Sequence, residues 1–148
     1  MTSWQPSTDM NGLVQRAALL WSLREFFARR QVIEVQTPVL APNTVTDPDV
    51  ESVAVPGYGF LQTSPEYQMK RLLAAGAPSI YQLGPVFRHE EIGRLHNIEF
   101  TMLEWYRIDL DHDQLMDEVA KLVDGVLGPA SYTTVTYAEL VGELDRPR

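Results

Sequence analysis

The chain has 148 residues, 45% of them hydrophobic, which fits one folded domain with a real core. Its 12 Lys and Arg stand against 20 Asp and Glu, a net charge of −8, and that balance opposes non-specific nucleic-acid binding, which needs cations to neutralise phosphates. With no cysteine there are no disulfides or thiolate metal sites, no apolar run is long enough to span a membrane, and no basic-then-apolar leader opens the chain.

Residues 1–10 are polar, contain Pro6, and read as a loose lead-in. Residues 13–30 read as a helix on the stripe Leu13, Ala17, Leu20, Leu23 and Phe27, which Leu19, Trp21 and Phe26 widen beyond one face. A helix apolar around so much of its girth belongs deep in a core, packed on its own sheet, or against a partner. A short strand over 32–35 follows, then Gln36, Thr37 and Pro38. Residues 41–48, with two Pro, Asn43 and Asp47, read as a loop. Strands are expected over 50–55 and 60–63, separated by a Pro56-Gly57 turn.

Thr63-Ser64-Pro65-Glu66 reads as a helix start, with Ser64 at the N-cap, Pro65 at the first helical position, and Thr63 with Glu66 as a capping box. Such a cap accounts for Glu66 without any ligand. The helix should run to about Ala74 and stop at Gly76. A short strand over 80–83 should break at Gly84-Pro85.

Residues 86–107, VFRHEEIGRLHNIEFTMLEWYR, form two strand-like arms around a charged loop. Alternation places Val86, Arg88 and Glu90 on one face of the first arm, and Phe100, Met102, Glu104 and Tyr106 on one face of the second. Paired antiparallel, the arms bring Arg88, Glu90, Glu104 and Tyr106 together. A guanidinium among carboxylates and a phenol suits a phosphate at one end and a cationic ligand at the other; it equally suits a surface hairpin with ordinary cross-strand ion pairs. Asp111 or Asp113 can cap a helix reaching Leu127, with a stripe of Leu115, Val119, Leu122, Val123 and Val126 that suits packing on the sheet, ended by Gly128. Thr136 can cap a last helix over YAELVGEL. His89, His96 and His112 lack metal-ligand spacing, and no nucleophile-elbow pattern supports a Ser-His-Asp triad.

Phe87-Arg88-x-Glu90, the loop, and then His96-Asn97-x-Glu99-Phe100 through Tyr106 together resemble the second signature of class II aminoacyl-tRNA synthetases in its lysyl version. VIEVQTPVL resembles their first signature, the helix and strand ending in Pro38 that form a dimer interface. TSPEYQMKRLL resembles the junction beside their amino-acid pocket, and SWQPS resembles the start of the elongation factor P–(R)-β-lysine ligases, short paralogues of lysyl-tRNA synthetase. The resemblance implies an α+β fold: part of the class II antiparallel sheet with flanking helices. It implies a homodimer through residues 13–38, a cytoplasmic ligase, and ATP with Mg²⁺. The substrate is then lysine or (R)-β-lysine, with elongation factor P as acceptor rather than tRNA, because no anticodon-binding barrel fits ahead of residue 11.

By the same resemblance Arg88 is catalytic and contacts the α-phosphate. His89 and Glu90 lie in the ATP site, Asn97 is in the adenine loop, and Ser64, Glu66, Glu104 and Tyr106 line the amino-acid pocket. His89 replaces the usual Asn on the face that alternation turns away from the pocket, and Ile98 replaces the usual Pro. The family's third signature, with a second ATP-binding Arg, and its late magnesium-holding acids have no counterpart here. These 148 residues alone are therefore expected to be inactive. A fragment of a lysyl-tRNA synthetase and a non-catalytic dimerising paralogue are the alternatives.

Overall fold

A computed structural model describes residues 4–89, 93–94 and 96–144, with the backbone alone for 143 and 144. The fold is α+β, and the chain divides into two compact units, Met1–Asp111 and His112–Arg148.

The first unit opens with α1, Met10–Ala28. It starts three residues ahead of the apolar stripe because the Asp9 carboxylate accepts the Gly12 N–H at 2.7 Å, satisfying one of the free donors of the first turn. It stops at Ala28 rather than residue 30, where the chain turns through Gln31 in the left-handed region (φ 57), and the Phe27 carbonyl accepts the N–H groups of Arg30 and Val32. β1 (Ile33–Glu34) runs parallel to β5 (Ile80–Phe87), which pairs antiparallel with β6 (Glu99–Tyr106) over eight positions, from Ile80↔Tyr106 to Phe87↔Glu99.

β5 passes straight through Gly84-Pro85, where the sequence suggests a break. The reason is register. In this stretch odd-numbered residues turn their backbone polar groups away from β6: the Phe87 N–H donates to the Gln62 carbonyl and the Pro85 carbonyl accepts from Gln62 Nε2. The nitrogen of Pro85 therefore faces away from the ladder with β6, and no bond to β6 is lost.

A second small sheet has the order β2 (Leu40–Ala41), β4 (Gly59–Leu61), β3 (Ala54–Val55), all antiparallel. β2 lies where the sequence reads as the last residues before a loop and the loop itself. The strand expected over 50–55 shrinks to two residues because the Glu51 carbonyl accepts the His89 N–H and Ser52 bonds Thr44 instead. The strand expected over 60–63 shifts back to 59–61, and Gln62 bridges the two sheets, its N–H donating to the Val39 carbonyl beside β2 and its carbonyl accepting the Phe87 N–H of β5. Gly59 (φ 130) is obligatory at its position, since a Cβ would collide with the Ala41 carbonyl. α2 (Glu66–Ala74) follows and ends at Gly76 (φ 92), as its sequence predicts.

Two faces of the β5–β6 ribbon then take different roles. The odd-numbered face meets α1. Phe27 stacks on Tyr81 with ring centroids 4.5 Å apart and lies 5.5 Å from Trp105, while Arg16 donates to Thr101 Oγ1 at 2.8 Å. Phe27, Tyr81, Ile80, Val86, Val32 and Met69 form the core. The even-numbered face carries Arg88, Met102 and Glu104. Much of α1 stays exposed, with Trp21 at 66%, Leu13 at 45% and Leu19 at 40%.

Tyr81 also ends a polar relay: its hydroxyl donates to Glu34 Oε2 at 2.9 Å, and Arg24 Nε donates to the same carboxylate at 3.1 Å. Burial first, then the Glu34 bond, push the Tyr81 hydroxyl up to about 12 from its usual 10. The folded state holds this proton more tightly than the unfolded chain, so the stabilisation is complete below pH 10 and is lost as pH rises towards 12. The melting temperature should fall across that window, and Tyr81→Phe should make the fall shallower; an unchanged slope in a pH series of thermal melts would refute the assignment.

The second unit holds α3 (His112–Leu127) and α4 (Tyr137–Leu144), with Asp111 just ahead of α3. Between them the Tyr132 hydroxyl bonds Asp124 Oδ1 at 2.8 Å. Thr136 and Glu139 form a reciprocal capping box, Glu139 N–H to Thr136 Oγ1 at 3.2 Å and Thr136 N–H to Glu139 Oε2 at 2.8 Å. Among the described residues no helix is long and apolar enough to cross a membrane.

Candidate functional site

A cleft of ≈ 220 Å³ lies on the even-numbered face of the ribbon, lined by Val45, Asp47, Val50, Thr63, Ser64, Glu66, Arg88, Met102 and Glu104. Cross-strand register puts Arg88 and Glu104 there. Gln82 faces Glu104, Gly84 faces Met102, and Arg88 donates its N–H to the Ile98 carbonyl, so these even positions share one side. Arg88 is half-buried, with its guanidinium carbon 5.2 Å from the Phe100 ring centroid, a cation–π contact that orients it.

Glu104 is the fixed point of the site. Its Oε2 accepts the Ser64 hydroxyl at 2.6 Å and its Oε1 accepts the Tyr106 hydroxyl at 2.8 Å. Burial, then the bond to Glu104, raises the Tyr106 pKa, so the phenol stays a donor. Ser64 in turn accepts the Glu66 N–H at 3.1 Å, which carries the network into the start of α2. Two donors hold the carboxylate in one orientation and leave lone pairs for a cationic ligand.

The capping box expected at Thr63 and Glu66 does not form. Thr63 is buried, α2 begins one residue later than the motif suggests, and the Glu66 carboxylate turns along the helix to the Lys70 ammonium, an i,i+4 pair. Ser64 still serves the helix start through its bond to the Glu66 N–H. The bond to Glu66 raises the Lys70 pKa, so Lys70 stays charged at neutral pH.

The cleft thus brings together Ser64, Glu66, Arg88 and Glu104, with Tyr106 bound to Glu104 behind them. His89 and Asn97 stand elsewhere. His89 is exposed, with Nδ1 3.4 Å from Glu51 Oε2, and Asn97 is exposed in the β5–β6 connection. Glu90 lies outside the described residues. The sequence reading assigns none of Asp47, Thr63, Met102 and Lys70 to the site. Lys70 was readable as the fourth residue after Glu66; Asp47 sits in a Pro-containing loop with no periodicity to aim it. Among the described residues no three His, Asp or Glu side chains stand close enough to hold a metal ion. These residues do not make a magnesium site.

Comparison with known proteins adds family to this geometry. Residues 5–145 match the tRNA synthetases of class II (D, K and N). Similar curated proteins include the elongation factor P–(R)-β-lysine ligases of Vibrio cholerae (51% identical over 147 residues, 93% of this chain and 45% of that protein), Vibrio campbellii (50% over 147 residues, 93% and 46%) and Yersinia enterocolitica (49% over 146 residues, 93% and 45%). The chain spans about half the length of the curated relatives it matches.

Proposed function

The chain belongs to the class II tRNA synthetases of the D, K and N type, and from that premise we propose that it supplies the amino-acid-binding and phosphate-facing part of a ligase site. The substrate carboxylate attacks the α-phosphorus of ATP, an acyl–phosphate bond forms, and pyrophosphate leaves. A lysine amine of elongation factor P then attacks the acyl carbon, and AMP leaves as the amide forms. The substrate is (R)-β-lysine or lysine, and the setting is the cytoplasm.

The observation that carries this reading is Glu104, held by Ser64 and Tyr106, in one cleft with Arg88. The carboxylate meets an ammonium; the guanidinium meets charge that builds on the α-phosphate oxygens in the transition state. No nucleophile is required of the protein, only placement and a fixed field. We assign ATP contacts to Arg88, and ammonium contacts to Glu104 with Ser64, Glu66 and Tyr106 around it. His89, Glu90 and Asn97 are assigned to the ATP side of the site by family resemblance alone.

The test is ATP–pyrophosphate exchange with (R)-β-lysine and with lysine, followed by transfer to elongation factor P and to tRNA. It is run on residues 1–148 and on the full-length form if the natural protein extends as its relatives do. Exchange in the longer form with transfer to elongation factor P supports the reading; charging of tRNA with elongation factor P untouched overturns it. Residues 1–148 alone should give no exchange, because they contain nothing resembling the family's third signature.

We also propose a homodimer through residues 13–38. α1 is apolar around its girth yet buries only Phe27, which leaves Trp21, Leu13 and Leu19 exposed. A two-fold axis would cover that surface with its own copy. Trp21→Asp should convert the dimer to a monomer in light scattering; a wild-type monomer at tens of micromolar (~10 μM and above, a range set by ordinary subunit affinities) would sink the idea.

A further inference from the structure

Asp47 lines the same cleft as Glu66, Glu104 and Arg88, so the wall carries three carboxylates against one guanidinium. These carboxylates are not equivalent. Glu66 is already held by the Lys70 ammonium, whereas Glu104 is oriented by two neutral hydroxyls. Asp47 is engaged on one side only: its Oδ1 accepts the Asp49 N–H at 3.1 Å, and its backbone carbonyl accepts the Val50 N–H at 3.3 Å. That turn is fastened to α2 because Thr46 bonds the Tyr67 hydroxyl at 2.6 Å. Two carboxylates, Asp47 and Glu104, therefore remain without a cation of their own from the hydrogen bonds and ion pairs of the described residues.

We propose that Asp47 is a specificity-determining residue that meets the second ammonium of a diamino acid, while Glu104 meets the first. This rests on the amino-acid reading of the cleft given above. The charge count supports it: a diamino acid brings two ammonium groups, and Asp47 and Glu104 offer one carboxylate to each. A volume of ≈ 220 Å³ suits a ligand of amino-acid size, below the ~300–1,000 Å³ of drug-sized pockets. Asp47 also sits on a loop, so the ligand would hold the residues 45–50 wall against the ribbon.

The experiment titrates residues 1–148 with lysine and with norleucine, which has the same carbon skeleton without the second ammonium, and follows amide shifts by NMR. The wild type should prefer lysine. Asp47→Asn should weaken lysine by about tenfold or more, the worth of one charged hydrogen bond, and leave norleucine unchanged. Asparagine keeps the Oδ1 acceptor of the turn, so the loop should stay folded. Asp49→Asn, which alters the same turn but no residue of the cleft wall, should change neither ligand. If Asp47→Asn keeps the full preference for lysine, the role of Asp47 is overturned and the amino-acid reading survives. If the wild type shows no preference for lysine over norleucine, both fall together.

Discussion

Phe27→Ala should destabilise the Met1–Asp111 unit by about 3–5 kcal/mol, the range for removing a large aromatic from a packed core. Phe27 is fully buried and is the single buried residue of α1. Its ring stacks on Tyr81 at an interplanar angle of 17°, meets Phe26 edge-on at 5.3 Å and lies beside Trp105. Arg16 of α1 also donates to Thr101 on the ribbon, a polar contact that cannot replace a lost ring. Urea unfolding followed by Trp fluorescence would measure it, and Phe27→Leu should cost clearly less. A loss under about 1 kcal/mol for the alanine variant, below the usual core range, would mean that α1 is anchored by something else.

Arg88→Ala should lower amino-acid-dependent ATP–pyrophosphate exchange by about 10²–10³-fold, the cost of losing one fixed donor to transition-state charge. The loss should appear in kcat, because the guanidinium is needed most when charge develops. Arg88→Lys should recover little: a point charge on a flexible stem does not reproduce a planar fork held over Phe100. The measurement is the exchange assay above in whichever form shows exchange. Unchanged kcat in Arg88→Ala would remove Arg88 from the chemistry.

The parts of this fold that were legible in the sequence are those where side-chain period and local turn chemistry agree. Alternation through residues 86–90 and 100–106 is enough to place Arg88, Glu104 and Tyr106 on one face. The eight-position register sets Glu104 and Tyr106, and the Arg88 N–H bond to the Ile98 carbonyl extends it to Arg88, while Glu90 lies outside the described residues. Gly76 and Gly128 stop their helices as read. The errors came where a long-range partner decides. Pro85 reads as a breaker, yet its nitrogen faces away from β6, and only the pairing reveals that. β2 has no periodicity of its own and exists because Leu61 lies opposite Leu40. Glu66 has two partners within reach, and Lys70 prevails over the cap. For the cleft, residue types suggested a cation beside carboxylates, and the family resemblance chose among them. Asp47 was invisible because its aim depends on where a loop is fastened 20 residues away, at Tyr67.

The ribbon has a further consequence for how the chain reaches this structure. β5 and β6 are neighbours in sequence and exchange partners along their whole length, whereas Ile33 must find Ile80 across the intervening small sheet and α2. Closing the shorter loop costs less chain entropy, so the hairpin is the piece that can assemble from local contacts. α1 and β1 dock onto it across the longer loop, and with them the exposed apolar surface of α1. The face that carries Met102 and Glu104 is thus built by local pairing, ahead of the rest of the cleft wall, which Asp47, Ser64 and Glu66 complete from more distant chain.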